Sequence, residues 1–253
     1  IVDAVRSPRG RGNDKGALKP VHPTELLAQQ LQMLASKNIF DAAEVSDTII
    51  GCVSQQADQG SNIARLAVLR AGWADAVCGV SINRYCASGL TAVHFAAQQA
   101  LANDSLAVGG GVEMMSRVAM GSDQGPLSHD PALQKQLALV PIGLAADVVA
   151  SLEGFTREQC DAYALASQQR ACNARGSGHF SSIHPVIGAQ GEVMLAQDET
   201  PRAQTTLEGL SAMPAAFAMV GESDGTQAAL RAHFALAKID HIHHAGNAPA
   251  MAD

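Results

Sequence analysis

No run of lysine or arginine marks this sequence. Seventeen basic residues stand against 24 acidic ones, a formal charge of -7, and neither sign gathers into a stretch that would suit nucleic acid. Long apolar runs are missing too: none reaches the roughly 18 residues expected of a membrane span. The first residues lack the basic-then-apolar order of a signal peptide. These absences predict a soluble, cytoplasmic protein with neither a nucleic-acid partner nor a membrane span. Cysteine is sparse, with five residues at 52, 78, 86, 160 and 172 and neither paired nor metal-like spacing. That pattern fits a reducing compartment better than a disulfide scaffold. At 253 residues the chain is one large domain or two smaller ones, and either size buries a substantial core.

What is present is alternation. Ile1 to Val5 reads as a strand already under way, so the natural chain is expected to begin earlier. Pro23 opens a helix whose Leu27, Leu31 and Leu34 recur at helical spacing, and Asp47 to Val53 is a β-branched run. Ala64 to Trp73 reads as helix, Gly79 to Asn83 as strand, Gly89 to Leu101 as helix and Leu106 to Gly110 as a strand ending in glycine. Strand and helix in turn predict an α/β fold with a parallel sheet covered by helices. From Val118 the character shifts to loops and helices. Thr156 and Gln159 match a capping box, the following helix runs to Gly176, Ile183 to Ile187 is a candidate short strand, and Gln227 to Lys238 reads as helix.

Cys86 lies where a strand turns into a helix, in Asn83-Arg84-Tyr85-Cys86-Ala87-Ser88-Gly89-Leu90. There a sulfur meets unpaired N–H groups and the positive end of a helix, which favour an anionic nucleophile, and small neighbours leave room for an acyl group. By position alone a small buried thiol is an equal reading.

The motif resembles the nucleophile segment of the thiolases, enzymes that make and break 3-oxoacyl-CoA thioesters. The likeness extends to Ile1 to Pro8, to Gly109-Gly110-Gly111-Val112-Glu113-Met114-Met115-Ser116, to Thr205 to Leu210 and to Ala245-Gly246-Asn247-Ala248. The resemblance implies a thiolase-like α/β fold: a mixed sheet covered by helices, an amino-terminal domain over 1–117 carrying the nucleophile, an inserted loop domain over 118–244 on the CoA side, and a truncated return segment over 245–253. It implies acyl transfer through an S-acyl-Cys86 intermediate, by ping-pong thiolysis or Claisen condensation. Coenzyme A would serve as substrate and product, with no permanently bound cofactor. Acyl-CoA substrates, a role in fatty acid metabolism and β-oxidation, and a homodimer or homotetramer are implied likewise.

For CoA, the resemblance points to Arg202 at the nucleotide end, where a guanidinium suits stacking or phosphate pairing. It points to Gly209, Met213, Ala216, Phe217 and Ala245 along the pantetheine. Pro249 stands where many members carry a serine that bonds pantetheine, and Pro141-Ile142 replaces a His-Met pair at the tunnel mouth. Met213 and Phe217 also have a plain core reading. The family's Asn-Glu-Ala-Phe and Gly-His-Pro segments and its second reactive cysteine do not occur, so the chain is expected to be the first part of a longer enzyme, without the carboxy-terminal half. The rival readings are a non-catalytic thiolase-like protein that binds CoA or lipid, and a ketosynthase, which would want a basic docking patch.

Three other signals are weaker. His241-Ile242-His243-His244 invites a metal, but no acidic or cysteine partner is near in sequence, so no metal is assigned. Gly109-Gly110-Gly111 lacks the spacing of a dinucleotide loop. Glu113 reads as a structural carboxylate before a catalytic one.

Overall fold

The computed structural model describes residues 1–253. They form two compact units: residues 1–125 with 180–200 and 251–253, and residues 126–179 with 201–250.

In the first unit, helix α1 (Pro23–Ser36) starts with a proline, whose missing N–H would have had no helical acceptor. Leu26, Leu27 and Leu31 are buried. Strand β1 (Val45–Gly51), helix α2 (Ile63–Arg70), strand β2 (Cys78–Ile82), helix α3 (Ser88–Asn103) and strand β3 (Leu106–Gly111) follow in alternation. The sheet order is β2-β1-β3 and both pairings are parallel. Central β1 turns Ile50 toward Leu31 and the buried face of α2, and Ile49 toward Ala92 and Ala96 of α3. Both faces are covered, so β1 is buried without alternation from Thr48 to Gly51. Each isoleucine so buried contributes roughly 1.5–3 kcal/mol.

Glycine lets α3 lie against the sheet. A Cβ on Gly109 would stand 2.6 Å from the Val93 Cα, and one on Gly51 would stand 2.4 Å from the Ser88 carbonyl carbon. The glycine-rich end of β3 is therefore a packing surface for a helix.

Four departures from the sequence reading have physical causes. Ile1 to Val5 forms no strand; only Arg6 bridges to Ile183, through Arg6 N–H to the Ser182 carbonyl at 2.9 Å and His184 N–H to the Arg6 carbonyl at 3.0 Å. The neighbouring segment offers pairing to that one residue. The boundary falls at Gly125, not 117, because Val118 is buried and Gln56 Nε2 donates to Ser122 Oγ at 2.5 Å. Residues 180–200 belong to the first unit. There β4 (Val186–Ile187) and β5 (Val193–Leu195) pair antiparallel, Val186 packs with Leu18, Leu26 and Met114, and Arg6 grips Asp198 through two bonds of 2.7 and 2.8 Å. Partners so distant in sequence leave no local signal. Of the return segment, only 251–253 joins this unit, through Ser116 N–H to Asp253 Oδ1 at 2.8 Å and Gly12 N–H to the Met251 carbonyl at 3.0 Å.

The second unit is helical. Short α4 (Pro126–His129) and α5 (Pro131–Gln136) precede α6 (Ile142–Glu153), α7 (Arg157–Gly176), α8 (Leu207–Ser211) and α9 (Thr226–His233). The expected capping box opens α7: Thr156 Oγ1 accepts from Gln159 N–H at 3.3 Å, and Gln159 Oε1 accepts from Thr156 N–H at 2.9 Å. Helix α9 stops at His233, short of Lys238, because Ala235 takes a left-handed φ of 53° and Leu236 N–H turns back to the Arg231 carbonyl. Leu144 and Val148 of α6 pack with Ile239 to make the core.

Candidate functional site

Cys86 is exposed on the turn between β2 and α3. The turn is fixed by its own polar groups. Asn83 Oδ1 accepts from Tyr85 N–H at 2.8 Å, while the buried Ser88 hydroxyl accepts from Arg84 N–H at 2.8 Å and donates to the Tyr85 carbonyl at 2.6 Å. These bonds hold Tyr85 at a φ of 48°, a left-handed conformation that a bulky side chain seldom takes. That bend brings Cys86 out into solvent next to the first turn of α3. No side chain caps the helix, and the N–H groups of Gly89 and Leu90 donate to no protein acceptor. An exposed cysteine one turn ahead of two open helix donors is an arrangement that can receive an acyl group.

The other cysteine of this region is different. Cys52 is buried, and desolvation followed by the nearby Glu113 charge pushes its thiol up to about 12. Glu113 itself accepts from the N–H groups of Val53 at 2.7 Å and Ser54 at 3.2 Å and from Gln59 Nε2 at 2.9 Å. Buried Gln59 then accepts from Met114 N–H at 2.6 Å. This carboxylate fastens the ends of β1 and β3 together.

The CoA-side candidates lie in the second unit. Arg202, Gly209, Ala216, Ala245, Pro249 and Ile142 are exposed, Ile142 at 86%, whereas Met213 and Phe217 are half-buried. Phe217 packs on α6, where a Cβ on Gly143 would stand 2.1 Å from its Cζ. Ala216 N–H donates to the His243 carbonyl at 2.9 Å, Arg202 Nη2 to the Gly246 carbonyl at 3.3 Å, and Met213 Sδ packs against Gly246. Arg202, Met213 and the Ala245–Gly246 turn thus come together. Gly209 is exposed on α8, its N–H donating to Thr206 Oγ1 at 3.0 Å, and no hydrogen bond holds Pro249.

Sequence reasoning missed what gathers them. Arg157 and Asp161 of α7 pair at 2.8 Å, and Arg157 Nη2 also donates to the carbonyls of Leu210 at 2.5 Å and Met213 at 2.9 Å. The buried Asp161 carboxylate accepts besides from His244 at 2.8 Å and Asn247 Nδ2 at 2.9 Å. Burial pushes this carboxyl up, but the bonds from His244, Arg157 and Asn247 outweigh it and hold it below the usual range. An i,i+4 Arg/Asp pair is an ordinary surface pattern in sequence, and only its burial sets it apart.

The neighbouring histidines are committed elsewhere. His241 and His243 direct Nδ1 at the two oxygens of fully buried Asp147, at 2.8 and 2.7 Å, and the N–H groups of Ile242 and His243 add two bonds of 3.1 Å. No strand forms there, and the acidic partner comes from α6, 94 and 96 residues away. A cavity of about 310 Å³ beside the start of α7 has His241 and Arg157 on its wall, and another of about 400 Å³ lies beside α1. Cys86 lines neither.

The first unit is thus a parallel α/β unit that presents an exposed cysteine at a strand-to-helix turn. The profile described as "Thiolase, N-terminal domain" matches residues 1–229, and the chain belongs to the thiolase family. It is 38% identical over 225 residues to a 3-ketoacyl-CoA thiolase of Cronobacter sakazakii, covering 86% of this chain and 57% of that one. To a β-ketoadipyl-CoA thiolase of Pseudomonas aeruginosa it is 36% identical over 232 residues, covering 83% and 57%. The crystal structure of the Bacillus anthracis acetyl-CoA acetyltransferase superposes with a TM-score of 0.73 at 34% identity, over 85% of this chain and 58% of that one. The chain thus spans a little over half the length of these relatives. No helix is long and apolar enough to cross a membrane.

Proposed function

We propose that the whole protein is a thiolase-type acyltransferase and that this chain supplies its nucleophile and a CoA-binding face. The observation that carries this reading is Cys86, exposed on a strained turn beside the open N–H groups of α3. In thiolysis the Cys86 thiolate adds to the ketone carbon of a 3-oxoacyl-CoA. The carbon–carbon bond to the acetyl unit then breaks, the departing carbanion takes a proton, and acetyl-CoA leaves. The acyl group stays on sulfur as a thioester until the thiolate of free CoA displaces Cys86 and carries it off. The Claisen direction runs the same bonds in reverse. Two groups must move protons, one from the Cys86 thiol and one to the acetyl carbon, and no histidine or carboxylate of this chain is hydrogen-bonded to Cys86. Arg202 and the Ala245–Gly246 turn would hold the nucleotide and pantetheine of CoA. Acyl-CoA substrates, a β-oxidation setting and self-association belong to the same proposal.

Supplying a 3-oxoacyl-CoA and free CoA tests it: acetyl-CoA and a shortened acyl-CoA form, and Cys86→Ala abolishes both. Pro249 favours a second reading, CoA or lipid binding without turnover, because it is exposed and offers no N–H. Tight CoA binding with no product, unchanged by Cys86→Ala, would select it.

A further inference from the structure

His244 is 1% exposed and both ring nitrogens are engaged. Gly246 N–H donates to Nδ1 at 3.0 Å, so Nδ1 is an acceptor and the ring proton sits on Nε2, which donates to Asp161 Oδ1 at 2.8 Å. The ring therefore spans from α7 to the turn that follows it. Around that turn the packing leaves no slack: a Cβ on Gly246 would stand 2.5 Å from Leu210 Cδ2, 2.8 Å from His244 Cε1 and 2.9 Å from Met213 Sδ. Asn247 closes it, its Oδ1 accepting from His244 N–H at 2.8 Å and its Nδ2 donating to Asp161 and to the Ile242 carbonyl. On its outer side the Gly246 carbonyl accepts from Arg202.

We propose that His244, as its neutral Nε2–H tautomer, is the positioning residue of the Ala245–Gly246 turn, and that a second proton on its ring releases the turn and weakens CoA binding. The proposal rests on the reading of Arg202 and Ala245 as CoA-binding residues. A proton on Nδ1 sets one N–H against another, and the Gly246 N–H loses its acceptor inside a buried turn. Asp161 cannot compensate by moving, because Arg157 and Asn247 hold it from two sides. Ionisable groups on the surrounding elements are Asp161, Arg157 and Cys160 of α7, exposed Glu208 of α8, Arg202 of the preceding loop, and Asp147 of α6, which His241 and His243 already occupy. Asp161 is the one that meets the ring. Losing one such bond at the binding turn corresponds to about a tenfold weaker Kd.

The test is a pH titration of the whole 253-residue chain from about pH 8 to about pH 5. Ring-nitrogen NMR follows His244, the Gly246 amide resonance follows the turn, and calorimetry with CoA follows binding. The expected result is an Nε2–H tautomer at the upper end, a Gly246 amide that moves with His244 protonation, and a CoA Kd that weakens about tenfold with the same midpoint. In His244→Gln that component vanishes, leaving only the titration of the CoA phosphate, with its second pKa near about 6, which is common to both proteins. A Gly246 amide indifferent to the His244 proton overturns the proposal, and so does the same pH dependence persisting in His244→Gln. The NMR arm needs no variant and no ligand. If CoA fails to bind at either pH while the amide still follows the ring, the CoA reading falls, and with it the binding half of the proposal; the control of the turn by His244 stands.

Discussion

Gly51 and Ser88 meet backbone to backbone: a Cβ added to Gly51 would stand 2.4 Å from the Ser88 carbonyl carbon. The end of the central strand is thus the floor on which the first turn of α3 rests, and Ser88 ties that turn to Arg84 and Tyr85 on either side of the bend before Cys86. Gly51→Ala should destabilise the protein by on the order of 3 kcal/mol, as overpacking in a closed interior does. It should also change the alkylation rate of Cys86, because α3 must tilt or shift. Denaturant unfolding and iodoacetamide kinetics measure the two effects. An unchanged midpoint and rate would show that the floor is softer than the geometry describes.

Glu113 and Cys86 separate structure from chemistry. Glu113→Gln keeps the shape but loses the charge that three N–H donors share, so a loss of about 2 kcal/mol in stability is expected. Acyl transfer per folded molecule should stay the same. A large fall in turnover without a fall in stability would instead make Glu113 a catalytic group.

The cysteines should differ in reactivity by environment. With its thiol pushed up to about 12 by burial and then by Glu113, Cys52 holds about one part in ten thousand as thiolate at pH 8. Exposed Cys86 and Cys78 should be alkylated in the native state, and Cys52 only after unfolding. Mass mapping of labelled peptides checks the order.

Acid should loosen the first unit through Asp198. Hydrogen bonding from Arg6 leads in lowering its carboxyl, burial opposes, and the Arg9 N–H adds to the lowering. A carboxyl lowered in the fold stabilises it above the unfolded value near about 3.9 and loses that contribution as pH falls through the folded value. Asp198→Asn should therefore cost about 2 kcal/mol at neutral pH and flatten the pH dependence below about pH 4. An equally steep acid transition in the variant would place the sensitive carboxyl elsewhere.

The alternation of β1, α2, β2, α3 and β3 was legible because each element carries its own period and its own terminators. Cys86 was legible because a strand-to-helix turn of small residues is a local pattern. What escaped was tertiary. The ribbon at 186–195 is assigned by Val186 contacts and by Arg6 on Asp198, 192 residues apart. The acidic partners that His241 and His244 lacked in sequence arrive from α6 and α7. Arg157 and Asp161 looked like any exposed i,i+4 pair until burial turned them into the post that holds Arg202, Met213 and the 244–247 turn in place.

The central claim is that Cys86 accepts the acyl group, and the most direct measurement is the mass of the protein after brief exposure to acetyl-CoA, followed by peptide mapping at a pH that preserves thioesters. The predicted result is the gain of one acetyl group, confined to the peptide carrying Cys86, removed by free CoA and missing in Cys86→Ala. An acetyl group on another residue, or one that persists in Cys86→Ala, would contradict it.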